Sequence, residues 1–140
     1  MIARLPGVIP AAATSDTPSC FPDWFPTLCE LLGLKTPSGL DGVSLMPILR
    51  DPKAQLEQRP PMVWVFPEYG GQVAVRWGDN KLVRRGLATK EPGAWELYDL
   101  AADRSEARDV ASTHPDRVQE GIAILMKNLS DNPIFPVRLP

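Results

Sequence analysis

The sequence contains 140 residues, of which 44% are hydrophobic and 23% are charged, and its formal net charge is −2. This length and composition fit one globular domain of ordinary hydrophobicity. The near-neutral charge and the lack of a basic cluster exclude a strong electrostatic attraction to nucleic acid or to a membrane surface. No apolar run approaches the roughly 20 residues of a membrane-spanning helix, and the opening residues do not resemble a signal peptide.

The first fifty residues predict a short strand, a loop and a helix, in a chain whose 16 prolines indicate many connecting segments. Residues 1–4 read as a strand with no turn before it, which suggests a piece of a longer chain. Residues 21–34 repeat apolar side chains at helical spacing and predict a helix with one wide apolar face. Pro26 must lie in its first turn or bend it, and Gly33 suits its end. Further on, Ser44 is predicted to cap a second, short helix. The apolar face of the first helix consists of Phe21, Trp24, Phe25, Leu28, Leu31 and Leu32.

The second half of the chain predicts an antiparallel sheet. Four runs rich in β-branched and aromatic residues are separated by short links, and Gly78–Asp79 suits a tight hairpin. Consecutive short strands with short links favour an antiparallel meander. The four predicted strands are residues 62–66, 72–77, 80–85 and 95–100.

Residues 114–129 predict an amphipathic helix that covers the apolar face of this sheet. Pro115 suits its first turn, and a capping box between Thr113 and Asp116 is predicted at its start. The proline-rich tail after this helix is expected to wrap over the surface. The fold class is therefore α+β, a four-stranded antiparallel sheet with a C-terminal helix. The predicted inward residues of the helix are Val118, Ile122, Leu125, Met126 and Leu129.

Four carboxylates follow the fourth strand closely, and they raise the question of a metal site: Asp99, Asp103, Glu106 and Asp109. Their spacing lacks the regular pattern and the glycine of a calcium-binding EF-hand loop. Aspartate favours turns, and acidic residues favour the first turn of a helix. The sequence therefore predicts that these acids shape a turn and the start of a short helix rather than bind a metal.

The single histidine and the two cysteines do not form a catalytic or metal-binding set. His114 precedes a proline at a helix start, which favours a capping or surface role. Cys20 and Cys29 would lie roughly 13 Å apart along a helix, too far for a disulfide. A helix N-terminus lowers the pKa of a thiol such as that of Cys20, but apolar neighbours raise it, so buried free thiols are the favoured interpretation.

Residues 67–72, with the sequence PEYGGQ, are the best local candidate for contact with a ligand. The two glycines allow a sharp turn or a close approach of the backbone to a ligand. Glu68, Tyr69 and Gln72 would project polar groups from a loop on a rigid sheet. The alternative is a hairpin turn whose polar side chains are exposed to water and bind no ligand.

Several segments, taken in chain order, resemble the C-terminal region of sulfatases of the arylsulfatase type, in the alkaline-phosphatase-like superfamily. Residues 2–10 are similar to the late strand and Pro–Gly loop of that family, and residues 96–111 to its Glu–Leu–Tyr–Asp–Leu strand and acidic turn. Three further segments share residues with motifs of that family. The shared residues are Asp23, Pro26, Thr27 and Leu28 in the first segment, Asp41, Gly42, Ser44 and Leu45 in the second, and Arg76, Gly78 and Lys81 in the third.

This resemblance implies that residues 1–50 are the end of a large catalytic α/β domain and that residues 51–140 are a C-terminal sulfatase subdomain. It implies that the chain buttresses the catalytic domain of a sulfuric ester hydrolase. Glu68, Tyr69 and Gln72 are then candidate substrate-binding residues. No catalytic residue, metal ligand or cofactor is expected in this chain itself.

Sulfatases hydrolyse sulfate esters with a formylglycine and a calcium ion, and the resemblance places both of them upstream of residue 1. Cys20–Phe21–Pro22 mimics the start of the Cys–x–Pro–x–Arg motif that yields the formylglycine, but the arginine is missing. The implied partners are the N-terminal catalytic domain of the same protein and a sulfate ester, and the implied location is periplasmic or secreted. Which sulfate ester is cleaved is not predicted.

Two other functions remain open from the sequence. One is a stand-alone interaction module without enzymatic activity, which forms homo-oligomers through the apolar helix of residues 21–34. The other is a sulfatase relative whose upstream half carries a phosphoryl-transfer site.

Overall fold

The computed structural model describes residues 1–56 and 59–130, and the chain divides into two compact units, Met1–Pro60 and Pro61–Pro140. The predicted surface course of the tail falls on residues 131–140 and lies outside the described residues. None of the helices in the described ranges is long and apolar enough to cross a membrane.

The first unit contains two helices, α1 (Trp24–Leu31) and α2 (Met46–Arg50), and a 3₁₀ turn, Phe21–Asp23, leads into α1. The helix predicted over residues 21–34 is thereby confirmed, with its first turn tightened. Pro26 is the third residue of α1, where no intrahelical partner is needed for the missing N–H.

Gly33 terminates α1, and its φ is +65°. The amide of Leu34 donates to the carbonyl of Cys29 at 2.8 Å, and the amide of Gly33 donates to Glu30 at 3.2 Å. These two bonds form a Schellman motif, which requires a left-handed residue at this position. The predicted role of Gly33 as a helix stop is confirmed.

Two local predictions for the first unit are wrong. Residues 1–4 form no strand, and the described part of this unit contains none, because a strand needs a second extended segment for its backbone hydrogen bonds. Ser44 does not occupy the N-cap of α2, which is Leu45. The Ser44 hydroxyl instead accepts the Met46 amide at 3.2 Å and donates to Glu30 at 2.6 Å.

The second unit is built on a four-stranded antiparallel sheet in the order β1–β2–β3–β4, as the sequence predicts. The two residues Gly78 and Asp79 join β2 to β3, and Gly78 has a φ of +53°. Such a tight hairpin favours residues that tolerate positive φ. The strands are β1 (Met62–Phe66), β2 (Gln72–Trp77), β3 (Asn80–Arg85) and β4 (Trp95–Asp99).

Helix α3 (Pro115–Asn128) covers one face of the sheet and packs on β2 and β3. A Cβ on Gly121 would lie 2.7 Å from the Trp77 ring and 2.9 Å from Leu82, so glycine permits the close approach of helix and sheet. The core between them consists of Val73, Val75, Leu82, Leu97, Val118 and Leu125.

Two details of the α3 prediction are wrong. The Thr113–Asp116 capping box does not form, because His114 is the N-cap and the Thr113 hydroxyl donates to the Val110 carbonyl at 2.9 Å. Met126 is 56% exposed, since it lies outside the stripe that faces the sheet. Val118 and Leu125 are buried as predicted.

Candidate functional site

The loop between β1 and β2, residues 67–71, has an unusual backbone. Three successive residues have positive φ values: Tyr69 at 53°, Gly70 at 84° and Gly71 at 76°. For a side chain as large as tyrosine, the left-handed region is strained by roughly 1–2 kcal/mol. Tyr69 is nevertheless 92% exposed, so burial does not compensate this strain.

The same loop is anchored at its base to the β3–β4 loop, residues 86–94. The amide of Leu87 donates to the Gly71 carbonyl at 3.0 Å, and the amide of Ala88 donates to the Gly70 carbonyl at 2.8 Å. A Cβ on Gly71 would lie 3.2 Å from Leu87 Cβ. Two loops at one end of the sheet therefore fix each other, and Tyr69 projects from a defined backbone.

The three predicted site residues do not occupy one loop. Glu68 and Tyr69 are exposed in residues 67–71, and the Glu68 carbonyl accepts the Gly71 amide at 3.0 Å. Gln72 instead is the first residue of β2 and pairs with Phe66 and Arg85. It lies on the face of the sheet opposite α3, which we call the outer face.

The outer face carries a groove of about 290 Å³ that begins at Gln72. Sequence reasoning missed this groove, although the alternation in the β1 sequence MVWVF places Trp64 and Phe66 on the same face. We call it the outer groove. Its side chains are Trp64, Phe66, Gln72, Ala74, Lys81, Val83 and Arg85, and Val73 also lines it.

Charged and polar side chains beside the outer groove form two hydrogen-bonded groups. Arg85 donates to the Glu96 carboxylate, which also accepts the Tyr98 hydroxyl. The hydrogen bond from Arg85 lowers the pKa of Glu96, and the hydrogen bond to Glu96 raises the pKa of the mostly buried Tyr98. Lys81 donates to both oxygens of Glu106 at 2.6 and 2.7 Å.

The acids after β4 act mainly on the backbone, in agreement with the structural interpretation. Asp103 accepts the amides of Ser105, Ala107 and Arg108 and the Ser105 hydroxyl, and the Ser105 hydroxyl lowers the pKa of Asp103 most strongly. Asp109 accepts the Leu97 amide and so ties this segment to β4.

The prediction that a short helix starts at these acids is wrong. Glu106 has a φ of +55°, and the next helical turn, a 3₁₀ turn, is Ala111–Thr113. Because Asp103 satisfies the nearby amides itself, the segment turns without forming a helix.

In the first unit, Asp23 forms a buried charged cluster with Arg59. The Asp23 side chain has no exposed surface, and it accepts Arg59 at 2.9 Å, the Cys20 amide at 2.7 Å and the Val43 amide at 3.0 Å. Burial alone opposes ionisation, but these hydrogen bonds lower the pKa of Asp23 below its ordinary value. Two further nitrogens of Arg59, Nε and Nη1, are buried and have no hydrogen-bond partner among residues 1–56 and 59–130.

Both cysteines are free thiols, as predicted, although Cys20 is only partly buried. Burial raises the pKa of Cys20, and the Asp23 carboxylate raises it further, while Arg59 Nη2 lies 3.1 Å from its sulfur. A raised pKa does not favour the reactive thiolate. His114 is exposed at the start of α3, a surface position.

Within residues 1–56 and 59–130, no three His, Cys, Asp or Glu side chains come together in a group that could hold a metal ion. The described residues therefore do not fit the calcium ion that the family resemblance implies. No reaction step involving that ion is assigned to them.

The sequence of this chain is similar to that of a known protein family and of individual proteins. Residues 1–132 match the family model described as N-sulphoglucosamine sulphohydrolase, C-terminal. A sulfatase from Formosa agariphila is 29% identical over 91% of this chain and 25% of its own length. An N-acetylglucosamine-6-O-sulfatase from Bacteroides thetaiotaomicron is 31% identical over 79% of this chain, and the chain spans only 20% of that relative.

A solved structure supports the same fold. It is the structure of a protein in complex with its substrate D-glucosamine-2-N,6-O-disulfate, and its TM-score to this chain is 0.60 at 24% identity. The match covers 75% of this chain and 22% of that protein. At this identity, the likeness concerns the fold.

Proposed function

Because this chain belongs to the N-sulphoglucosamine sulphohydrolase C-terminal family and so to the C-terminal part of sulfatases, we propose that it completes a larger sulfuric ester hydrolase. Residues 1–50 would close the large catalytic domain, and residues 51–140 would form the subdomain beside its substrate pocket. The nucleophile, the formylglycine and the calcium ion would belong to the preceding catalytic part, which is the partner of this chain.

The observation that carries the proposal is the arrangement of α1. Asp23, at the end of the 3₁₀ turn before α1, and Thr27 of α1 are buried, at 0% and 1% exposure, whereas several large apolar side chains of this segment face outward. The Thr27 hydroxyl donates to the Asp23 carbonyl at 2.6 Å and accepts the Leu45 amide at 2.8 Å, so the polar side is bound to this chain. The exposed residues are Phe21 at 87%, Phe25 at 54%, Leu28 at 48% and Leu32 at 67%.

An apolar helix face of this kind suits contact with another protein layer. The curated relatives are four to five times as long as the matched segment, which covers 25% and 20% of them. A preceding catalytic part of the longer protein would therefore contact and bury the exposed apolar face of α1. The stand-alone interaction module is not favoured, because the family and its relatives are sulfatases.

For the substrate, we propose a sulfated saccharide, since one relative is an N-acetylglucosamine-6-O-sulfatase. Glu68 and Tyr69 would then border the pocket from the anchored loop. A phenol hydroxyl donates and accepts hydrogen bonds, and a carboxylate accepts them, so both suit sugar hydroxyls. The strained backbone of Tyr69 supports a functional position for this side chain.

The test measures sulfate release from N-acetylglucosamine 6-sulfate with calcium present. The 140-residue chain alone is expected to show no turnover, and the longer protein that includes the preceding catalytic part is expected to be active. In that protein, Tyr69→Gly removes the phenol but keeps the positive φ, so KM should rise several-fold without loss of thermal stability. Turnover by the isolated chain would overturn the proposal, and an unchanged KM would remove Tyr69 from the pocket.

Met126→Ala serves as the matched control. Met126 is an exposed side chain on α3, away from the loop and from the outer face. Its truncation should leave KM and kcat unchanged.

A further inference from the structure

The outer groove has the shape of a shallow binding site with two different walls. Trp64 and Phe66 stand on β1, roughly 7 Å apart along the strand. Lys81 and Arg85 stand on β3, and Ala74 of β2 lies between the two walls. The small side chain of Ala74 leaves the floor open, and the volume of about 290 Å³ approaches that of the smaller ligand pockets.

The chemistry of the walls suits a sugar ring. The faces of aromatic rings carry partial negative charge and attract the C–H groups on one face of a pyranose. The amide of Gln72 offers both a donor and an acceptor, and the guanidinium of Arg85 offers several donors in one plane. Adjacent hydroxyl groups of a pyranose match such planar groups.

The charges beside the outer groove favour an uncharged ring over a free anion. Arg85 already pairs with Glu96, and Lys81 pairs with Glu106. Each cation is thus balanced by a carboxylate, and a sulfate group placed here would meet those carboxylates as well. Arg85 remains 51% exposed in this pair and can still donate to a hydroxyl.

The outer groove is also continuous with the proposed pocket loop. Phe66 directly precedes residues 67–71, and Gln72 directly follows them. A saccharide that reaches Tyr69 would therefore have its next unit at Phe66 and Gln72.

From this we propose that the outer groove is a subsite for an uncharged sugar unit of an oligosaccharide substrate, beyond the unit that carries the sulfate. This inference rests on the proposed function. It extends the substrate from a single sugar to a chain.

Binding is tested by NMR on the 140-residue chain with ¹⁵N-labelled tryptophan. The chain contains four tryptophans, and Trp64→Phe identifies the indole signal of Trp64. N-acetyllactosamine is expected to shift this signal saturably in the millimolar range, as is typical of a single weak subsite. Inorganic sulfate should not shift it.

Two variants show whether the groove itself binds. Ala74→Leu fills the floor and should abolish the shift of the Trp64 signal, whereas Val65→Ala, on the opposite face of the same strand, should leave it intact. A Trp64 shift with inorganic sulfate alone, no shift with N-acetyllactosamine, or full binding by Ala74→Leu would each overturn the subsite. Thermal melting of each variant verifies that it is folded.

A kinetic experiment separates this subsite from the proposed function. In the longer protein, Trp64→Ala should lower kcat/KM for a 6-sulfated N-acetyllactosamine about tenfold, as for the loss of one buried aromatic contact. The value for N-acetylglucosamine 6-sulfate should not change, because a single sugar does not reach the groove. Equal loss for both substrates would contradict the subsite and leave the sulfatase assignment in place.

Discussion

At the scale of single residues, Asp23 shows how this sequence uses a buried charge. One carboxylate joins the start of α1 to the amide of Val43, and Arg59 balances its charge. Arg59 is only 13% exposed, so water screens this pair weakly. The cluster thus fixes three separate segments of the first unit.

Removal of Asp23 should therefore destabilise the first unit strongly. Asp23→Ala leaves Arg59 charged without its partner and leaves two backbone amides unpaired, and we expect a loss of about 3 kcal/mol. Hydrogen exchange at the Val43 and Leu45 amides measures the effect as faster exchange. Asp41→Ala, at an exposed site close by in sequence, is the control and should have little effect. Equal protection in both variants would contradict a stabilising role for the cluster.

Tyr98 provides a second residue-scale prediction, at alkaline pH. Its hydrogen bond to Glu96 favours the protonated phenol, so the folded pKa is raised above the unfolded value of about 10. The resulting stability is complete below pH of about 10 and is lost as pH rises through the folded pKa.

The chain has two tyrosines, so Tyr69→Phe leaves the ultraviolet titration to Tyr98 alone. We expect ionisation of Tyr98 above pH of about 10 in this variant and a lower midpoint when Glu96→Gln is added. The same midpoint in both proteins would show that Glu96 does not control the proton of Tyr98.

At the scale of elements, Gly121 determines how closely α3 approaches the sheet. Gly121→Val would force the Trp77 ring and the Leu82 side chain apart, and we expect a loss of about 2 kcal/mol from overpacking. Ala123→Val lies on the exposed side of α3, so it should cost only about 0.5 kcal/mol through helix propensity. Urea unfolding followed by far-ultraviolet circular dichroism compares the two variants. A similar cost at both positions would contradict tight packing at Gly121.

The elements also show what the sequence alone can predict. The strand residues of the sheet, apart from Leu100, and the Gly78–Asp79 hairpin agree with the structure, because alternation and turn chemistry are local signals. The helix of residues 21–34 was predictable for the same reason, but the orientation of its faces was not. Its polar side is buried because Asp23 and Thr27 bind distant amides, and periodicity contains no information on such bonds.

The candidate site was only partly predictable for a related reason. The glycines of PEYGGQ indicated the loop, but the outer groove depends on which strands are neighbours. Ala74 becomes a floor only when Trp64 and Val83 stand on either side of it, and that register arises from the whole sheet.

At the scale of the whole molecule, the two units differ in how well they cover their apolar surface. The second unit encloses a core between sheet and helix, whereas the first leaves one side of α1 open. A protein with such a face tends to associate until the face is covered. The oligomeric state of the isolated chain therefore reports on the role of α1.

The isolated chain should self-associate through α1, and charges placed on this face should prevent it. Phe25→Lys combined with Leu28→Lys removes two apolar side chains that are 54% and 48% exposed, so the fold of the first unit should persist while association is lost. Light scattering over a range of protein concentrations measures the mass. Met126→Lys, at a 56% exposed position of α3, tests whether any added charge has this effect, and it should associate like the unaltered chain. A monomeric unaltered chain at high concentration would mean that the α1 face does not require a cover, which would weaken its assignment as the contact with a catalytic domain.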